Sequence, residues 1–228
     1  MAWMRVGLLS SENWIGNLPE AVRADIFARS TLLRAEAGEE FSIAGQMPRG
    51  MFQVVEGFLR LTGLQEDGGQ TLITIYSAGN AFAETAVVAR RPLNHTTQAM
   101  TPVTIRCLAR ADFWELYGRH PEIPDALCRK FAAAIGRQIA SRQLGASTRL
   151  GKRIGMIFEE LAHRAGRPLQ DGRIAIDLPV TQQDLADHLG VTRQSIQREI
   201  RDLKAARLIG REQRQWYVRD LPGLERLT

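Results

Sequence analysis

The sequence predicts an α+β chain: a β-rich first half, one long central helix, and a final third of short helices closed by a β-hairpin. Three observations carry that expectation. Runs such as "MFQVVEGFLRLTGL" and "QTLITIY" are rich in β-branched and aromatic residues and lie between Leu32 and Leu108, punctuated by Gly38, Gly45, Gly57 and Gly79. A sustained helical pattern follows, "IPDALCRKFAAAIGRQIASRQL". Then "TQQDLADHLGVTRQSIQREIRDL" sets two short amphipathic patterns on either side of a single glycine.

Each element has its local reason. Short strands at this spacing predict a sandwich or jelly-roll-like β-roll. Within "QEDGGQ", Asp67-Gly68 predicts a hairpin turn because the pair tolerates positive φ, and "VTIRCL" closes the strand set. Asp112-Phe-Trp-Glu115 has the form of a capping box opening a short helix. Past His120-Pro121 the long helix presents Leu127, Phe131, Ile135 and Ile139 on one face, while Ala132, Ala133 and Ala134 favour helix. That stripe packs either on the β domain or against a second copy of the chain. "LGASTRLG" loosens the pattern at Gly145, so a domain boundary is expected near 146–149, with Ser147 or Thr148 capping the next helix. Leu150, Ile154, Ile157, Phe158 and Leu161 give that helix its core face. The expected divisions are 1–119, 120–147 and 148–228.

Composition narrows the functional classes. The 228 residues are 44% hydrophobic and 24% charged, ordinary for a globular chain. Without a bilayer-length apolar run or a convincing signal peptide in "MAWMRVGLLSSENW", a cytoplasmic setting is expected. Cys107 and Cys128 stand alone, which argues against a disulfide framework and leaves no cysteine group for zinc or an iron–sulfur cluster. The net charge is +5, and from Arg149 onward 15 basic residues face 11 acidic ones. The excess therefore sits in the last third, where it suits a polyanion. Lysine is rare: Lys130, Lys152 and Lys204 are the three in the chain.

That last third explains its own charge. Thr181 is an N-cap with Asp184 three residues on; Leu185, Ala186 and Leu189 form one side of the helix. Gly190 supplies a left-handed turn, and Thr192 caps a second helix with Ile196, Ile200 and Leu203 inside. At about 100° per residue, Gln194, Gln197, Arg198 and Arg201 gather opposite that stripe, with Arg193 on its flank. Arginine can clasp guanine O6 and N7, and glutamine can pair with adenine N6 and N7. "LIGREQRQWYV" behind them reads as a wing offering Arg211 and Arg214 to phosphates. Cap, glycine turn, second cap, polar face and wing in series predict a winged helix-turn-helix that binds double-stranded DNA.

With those residues in view, the chain resembles the cyclic-AMP receptor/FNR (Crp/Fnr) superfamily of bacterial transcription regulators. "VTRQSIQREIRDLKAARLI" looks like its recognition helix, and "GQMPRGMFQVVEGFLRL" with "GNAFAETAVV" looks like its cyclic-nucleotide-binding-like sensor roll. The winged helix-turn-helix and the E-G-x-L-x-L stretch at Gly57 are the most specific parts. The resemblance implies a homodimer through the long helix, with Leu127, Phe131, Ile135 and Ile139 in the seam, and RNA polymerase as a partner. It places Arg193, Gln194 and Arg198 at base-reading positions. Thr181, Thr192 and Ser195 become phosphate contacts unless they serve only as caps, and Arg201 joins Arg211 and Arg214 along the backbone.

The resemblance also marks what is missing. Nucleotide-binding relatives have Gly-Glu at the start of a short helix and Arg-Ser after it. Here "FAETAVVARRPLNHTTQA" keeps Glu84 but has Ala83 for the glycine, and Leu93-Asn94 or Asn94-His95 where Arg-Ser is expected. A buried phosphate would lack its charge partner unless Arg90 or Arg91 replaces it, so cyclic AMP is not the expected effector. Glu84, Thr85, Asn94, His95 and Thr96 remain pocket candidates. No cofactor is evident. Haem stays open through His95, His120, His163, His188 or a methionine. Three rivals remain: a ligand-independent regulator of the same fold, a stand-alone nucleotide-binding module and a cupin-like metal enzyme. The last needs clustered histidines that the β region, with its single histidine, does not supply. No P-loop or G-x-S-x-G motif points to an enzyme.

Overall fold

The computed structural model of the chain describes residues 7–64 and 70–227. It divides into two compact units, Ser10–Ile135 and a second made by residues up to Leu9 together with those from Gly136 onward.

The first unit opens with α1 (Glu20–Ala28) and continues through β1 (Ser30–Ala35), β2 (Glu40–Ser42), β3 (Gly50–Glu56), β4 (Leu59–Leu64), β5 (Gln70–Tyr76) and β6 (Ala81–Phe82). The short helix α2 (Glu84–Ala89) interrupts the strands before β7 (Thr96–Ala99) and β8 (Val103–Ala109). Two four-stranded antiparallel sheets result, ordered β1-β8-β3-β6 and β2-β7-β4-β5. This is the expected roll. Between the sheets lie Phe52, Val54, Ile105 and Cys107 from one and Leu59 and Ala99 from the other. Gly57 is placed by contact as well as by its φ of 86°: a Cβ there would come 2.4 Å from the Pro102 carbonyl oxygen. The Asp67-Gly68 turn lies outside the described residues, but β4 and β5 pair antiparallel on either side of it, Leu64 opposite Gln70.

Helix α3 (Arg110–Arg119) corrects one expectation. It starts two residues before Asp112, and its N-cap is Ala109 with no side-chain cap. Asp112 and Glu115 instead face Arg29, at 3.8 and 2.8 Å. Two acids three residues apart share a helix face whether or not they cap it, and here the cation at the C-cap of α1 takes both.

Helix α4 (Glu122–Ser147) runs unbroken past Gly145, and the division between the two units falls inside it. The stripe expected along it does not stay on one side. Leu127 is 2% exposed in the roll unit's own core, and Phe131 is packed partly against that core, whereas Ile135 and Ile139 are 63% and 56% exposed. A strict four-residue repeat turns by about 40° per step on a 3.6-residue helix, so the stripe winds off the core face within three steps.

The second unit contains α5 (Leu150–Ala165), β9 (Gly166–Pro168), β10 (Ile174–Ile176), α6 (Gln182–Leu189), α7 (Arg193–Ala205), β11 (Ile209–Glu212), β12 (Gln215–Val218) and α8 (Leu221–Leu227). Its four-stranded sheet is antiparallel, ordered β11-β12-β10-β9. Arg149 occupies the N-cap of α5 without a side-chain cap, so the expected capping by Ser147 or Thr148 is not made. Ile154, Ile157, Phe158 and Leu161 are buried as expected, with Phe158 set edge-on to Trp216 at 5.2 Å. Residues 7–9 lie along α5. The amides of Leu8 and Leu9 donate to Glu160 at 2.7 and 3.2 Å, and Arg164 donates to the Leu9 carbonyl at 3.0 Å. Burial pushes the Glu160 carboxyl up, against the pull of these donors. Among the described residues no helix is long and apolar enough to cross a membrane.

Candidate nucleic-acid interface and sensor site

The helix pair in the second unit is built by its caps. Thr181 accepts from the Asp184 amide at 3.1 Å, and Asp184 accepts in return from the Thr181 amide at 2.8 Å, a complete capping box. Gly190 then takes φ 65°, the left-handed conformation that ends α6 and lets the chain turn at once into α7. Arg153 donates to the Leu189 carbonyl at 3.2 Å, a cation at the C-terminal end of α6 where the helix dipole favours one. Thr192 caps α7 by accepting from the Ser195 amide at 3.2 Å. Ile196, Ile200 and Leu203 are buried together with Leu185, Ala186 and Leu189.

What remains outside is the polar face. Arg193, Gln194, Gln197, Arg198 and Arg201 are all exposed. Arg198 leans on the neighbouring Glu199 at 3.5 Å, while Arg193 and Arg201 have no acidic partner among the described residues. Thr181 and Thr192 are exposed, and Ser195 shares a 2.9 Å hydroxyl contact with Thr192 at the start of α7. In the hairpin, Glu212 pairs with Gln215, leaving Gln213 (φ 53°) and Arg214 as a two-residue turn. Arg214 is exposed there without a partner among the described residues. Arg211 is drawn inward, its guanidinium 4.9 Å from the Trp216 ring centre and its Nε buried without a hydrogen bond. Trp216 in turn donates to the Val180 carbonyl at 2.8 Å, which pins the hairpin beside α6.

In the roll unit the candidate residues are not gathered at one place. Glu84, the first residue of α2, is 2% exposed. Trp14 donates its indole N–H to Glu84 Oε1 at 3.2 Å, and the Lys130 ammonium forms an ion pair with the same carboxylate while donating to the Ala81 carbonyl at 2.9 Å. Ala83 holds φ 67° at the N-cap of α2, a conformation that glycine adopts without strain. Thr85 and Asn94 are exposed. His95 is half-buried, and burial holds its imidazole below the usual range, neutral near pH 7. Thr96 is buried and accepts from the Ala44 amide at 3.2 Å. His120 meets Asp25 at 2.9 Å and His163 meets Glu225 at 3.6 Å. No group of three or more metal-ligating side chains is present among the described residues.

Between the sheets, aromatic rings occupy the interior. Phe52 lies 5.2 Å from Phe82 and 5.0 Å from Phe41, and Tyr76 stacks on Phe82 at 5.5 Å. Burial pushes the Tyr76 hydroxyl well above its ordinary range. Sequence reasoning missed Trp14 and Lys130 as partners of Glu84. Trp14 left no signal. Lys130 left a faint one: it is one of three lysines in a chain with 30 basic residues.

Comparison with known proteins agrees with this anatomy. A cyclic nucleotide-binding domain matches residues 32–120, and a Crp-like helix-turn-helix domain matches residues 152–227. The nitrogen fixation regulation protein FixK of Azorhizobium caulinodans is 25% identical over 229 residues, spanning 96% of this chain and 90% of its own. The transcriptional activator protein FnrL of Cereibacter sphaeroides is 23% identical over 190 residues, 78% of this chain and 71% of its own. A CRP/FNR-family transcriptional regulator of Thermus thermophilus superposes with a TM-score of 0.71 at 21% identity, covering 86% of this chain and 97% of that one, a likeness of fold. A sensor-type roll followed by a capped helix-turn-helix with a wing, matched domain by domain in the same order, places the chain in the Crp/Fnr superfamily of bacterial transcription regulators.

Proposed function

We propose that the protein acts as a homodimer that reads an inverted-repeat operator through Arg193, Gln194 and Arg198, with RNA polymerase as its second macromolecular partner. The observation that carries this is the face of α7: side chains able to bond base edges are exposed there, and two of its arginines are not neutralised by the chain itself. Arg201, Arg214 and the hydroxyls of Thr181, Thr192 and Ser195 flank that face as phosphate contacts. Arg211 joins them by swinging off Trp216. The dimer seam is the exposed part of α4, Ile135 and Ile139 with the outer side of Phe131; Leu127 is excluded because it is already buried within its own unit.

Cyclic AMP is not the effector by the family route. The carboxylate that would take a ribose hydroxyl is engaged by Trp14 and Lys130, and Asn94 and His95 provide no cation for a phosphate.

Randomised-site selection on the full chain, paired with sedimentation, tests the proposal. The expected outcome is an inverted repeat whose half-sites are centred about 34–36 Å apart and contain guanine, bound by a protein that sediments as a dimer. Ile139→Asp should shift the mass toward monomer and weaken operator binding. A wild-type monomer at micromolar concentration, or a selected site without two-fold symmetry, would overturn it.

A further inference from the structure

A second candidate ligand site lies on the outside of the roll unit, where α2 ends and α3 begins. A pocket of about 260 Å³ there is lined by Met47, Pro48, Val87, Arg90, Arg110 and Trp114. Its floor is apolar, since Pro48 and Val87 are buried. Its rim is cationic. Arg90 closes α2 in a left-handed conformation, φ 53°, a position at which glycine carries no strain, and sets its guanidinium 4.9 Å from the Trp114 ring centre. A guanidinium stacked on an indole keeps the N–H donors at its edge free. Arg110, the first residue of α3, shares the rim. Neither arginine has a carboxylate partner among the described residues, because the acids of α3 nearest in sequence, Asp112 and Glu115, face Arg29.

We propose that this pocket binds a small planar carboxylate, its carboxyl group taken by Arg90 and Arg110 and its plane laid between Trp114 and Met47. Two cations brought to one apolar hollow repel each other until an anion sits between them, and arginine forks match a carboxylate in geometry as well as charge. The exposed thioether of Met47 and the Trp114 ring complete a surface suited to a flat apolar body. The size excludes larger ligands: drug-sized molecules take pockets of roughly 300–1,000 Å³, whereas this one fits a single ring or a short unsaturated chain. The site goes beyond the DNA-binding function proposed above and does not involve the interior of the roll. It does share α2 with Glu84, so one short helix carries the pocket at its end and the Lys130 pair at its start.

Benzoate is the probe, titrated into the full-length protein by calorimetry and by tryptophan fluorescence, with benzamide, acetate and inorganic phosphate alongside. Saturable benzoate binding is expected in the millimolar range, as befits so small a ligand. Arg90→Met and Arg110→Met should each weaken it by about tenfold or more, the loss of one charge-assisted hydrogen-bonding partner. Both side chains are exposed, so unchanged melting curves without ligand will show that the variants fold. Trp114→Phe should abolish the fluorescence change, and neutral benzamide should not bind. Absence of saturable binding overturns the proposal, as does benzoate affinity that is indifferent to both arginine substitutions. Equal binding of acetate or phosphate would show a plain anion patch and overturn it too.

Discussion

Helices α7 and α2 are both short and both bury one side, yet they leave their ionisable groups in opposite states. On α7, Arg193 and Arg201 face solvent with no acidic partner among the described residues. At the start of α2, Glu84 is buried and already holds an indole N–H and an ammonium. An exposed guanidinium is satisfied by water and exchanges it for a phosphate or a base edge at little cost. A buried carboxylate must be neutralised inside the chain, and once it is, it has little left to offer a ligand. The open helix is suited to recognition, the closed one to holding its own unit together.

The largest expected effect tests the closed end. Lys130→Met strands the Glu84 carboxylate in the core and should destabilise the roll unit by about 3–5 kcal/mol. Adding Glu84→Leu should recover most of that loss, because two apolar groups replace the pair. Denaturant unfolding followed by fluorescence measures both, and a single-variant loss below about 1 kcal/mol, the worth of an ordinary hydrogen bond, would mean that Glu84 is not held as a buried charge.

The open helix should respond in DNA binding rather than in folding. Arg198→Ala is expected to lower operator affinity by about 1–3 kcal/mol and to relax the preference at one base position. Arg214→Ala should weaken binding to every sequence alike and flatten its salt dependence, as a phosphate contact does. If Arg198→Ala also acts uniformly and leaves the selected sequence unchanged, then Arg198 is a backbone anchor.

Asp184→Ala removes the half of the capping box in which its carboxylate accepts from Thr181, leaves the Thr181 hydroxyl free to accept from the amide of residue 184, and should cost the second unit about 1 kcal/mol. Operator affinity is expected to fall only as far as folding does, with the base preference retained. A changed preference would mean that α6 positions α7 more directly than the packing of Leu185 and Leu189 suggests.

The smallest effect is a gain. Ala83→Gly relieves a left-handed alanine and should stabilise the roll unit by about 0.5–1 kcal/mol. It restores the family's Gly-Glu pair yet leaves Lys130 in place, so calorimetry should still show no tight cyclic-AMP binding. Tight binding by this variant would move the block from Lys130 to Ala83 and undo the comparison.

The helix-turn-helix was legible in the sequence almost residue by residue, because everything that shapes it is local. Thr181 and Asp184 cap within one turn, Gly190 takes positive φ by its own nature, and Ile196, Ile200 and Leu203 mark one side at helical spacing. The roll was legible as strands and turns. Its site was not, because Glu84 meets Trp14 across 70 positions of sequence and Lys130 across 46. The expected cap at Asp112 failed for a related reason: an acidic residue serves as a cap or as an ion-pair partner, and local sequence does not say which.

What the sequence by itself determined is therefore the class of protein and the polar face of α7 proposed to meet DNA: periodicity, caps and a glycine turn act over a few residues and leave little for tertiary structure to overrule. What only the tertiary structure decided is which groups remain free. Leu127 and Ile139 belong to one repeat, but the 3.6-residue helix carries the first into the core and the second into solvent. Arg90 and Arg110 lie 20 positions apart, and only the folded chain brings them to the rim of one pocket. Exposure and pairing are properties of the packed chain, because burial and charge neutralisation depend on neighbours that the sequence does not place side by side.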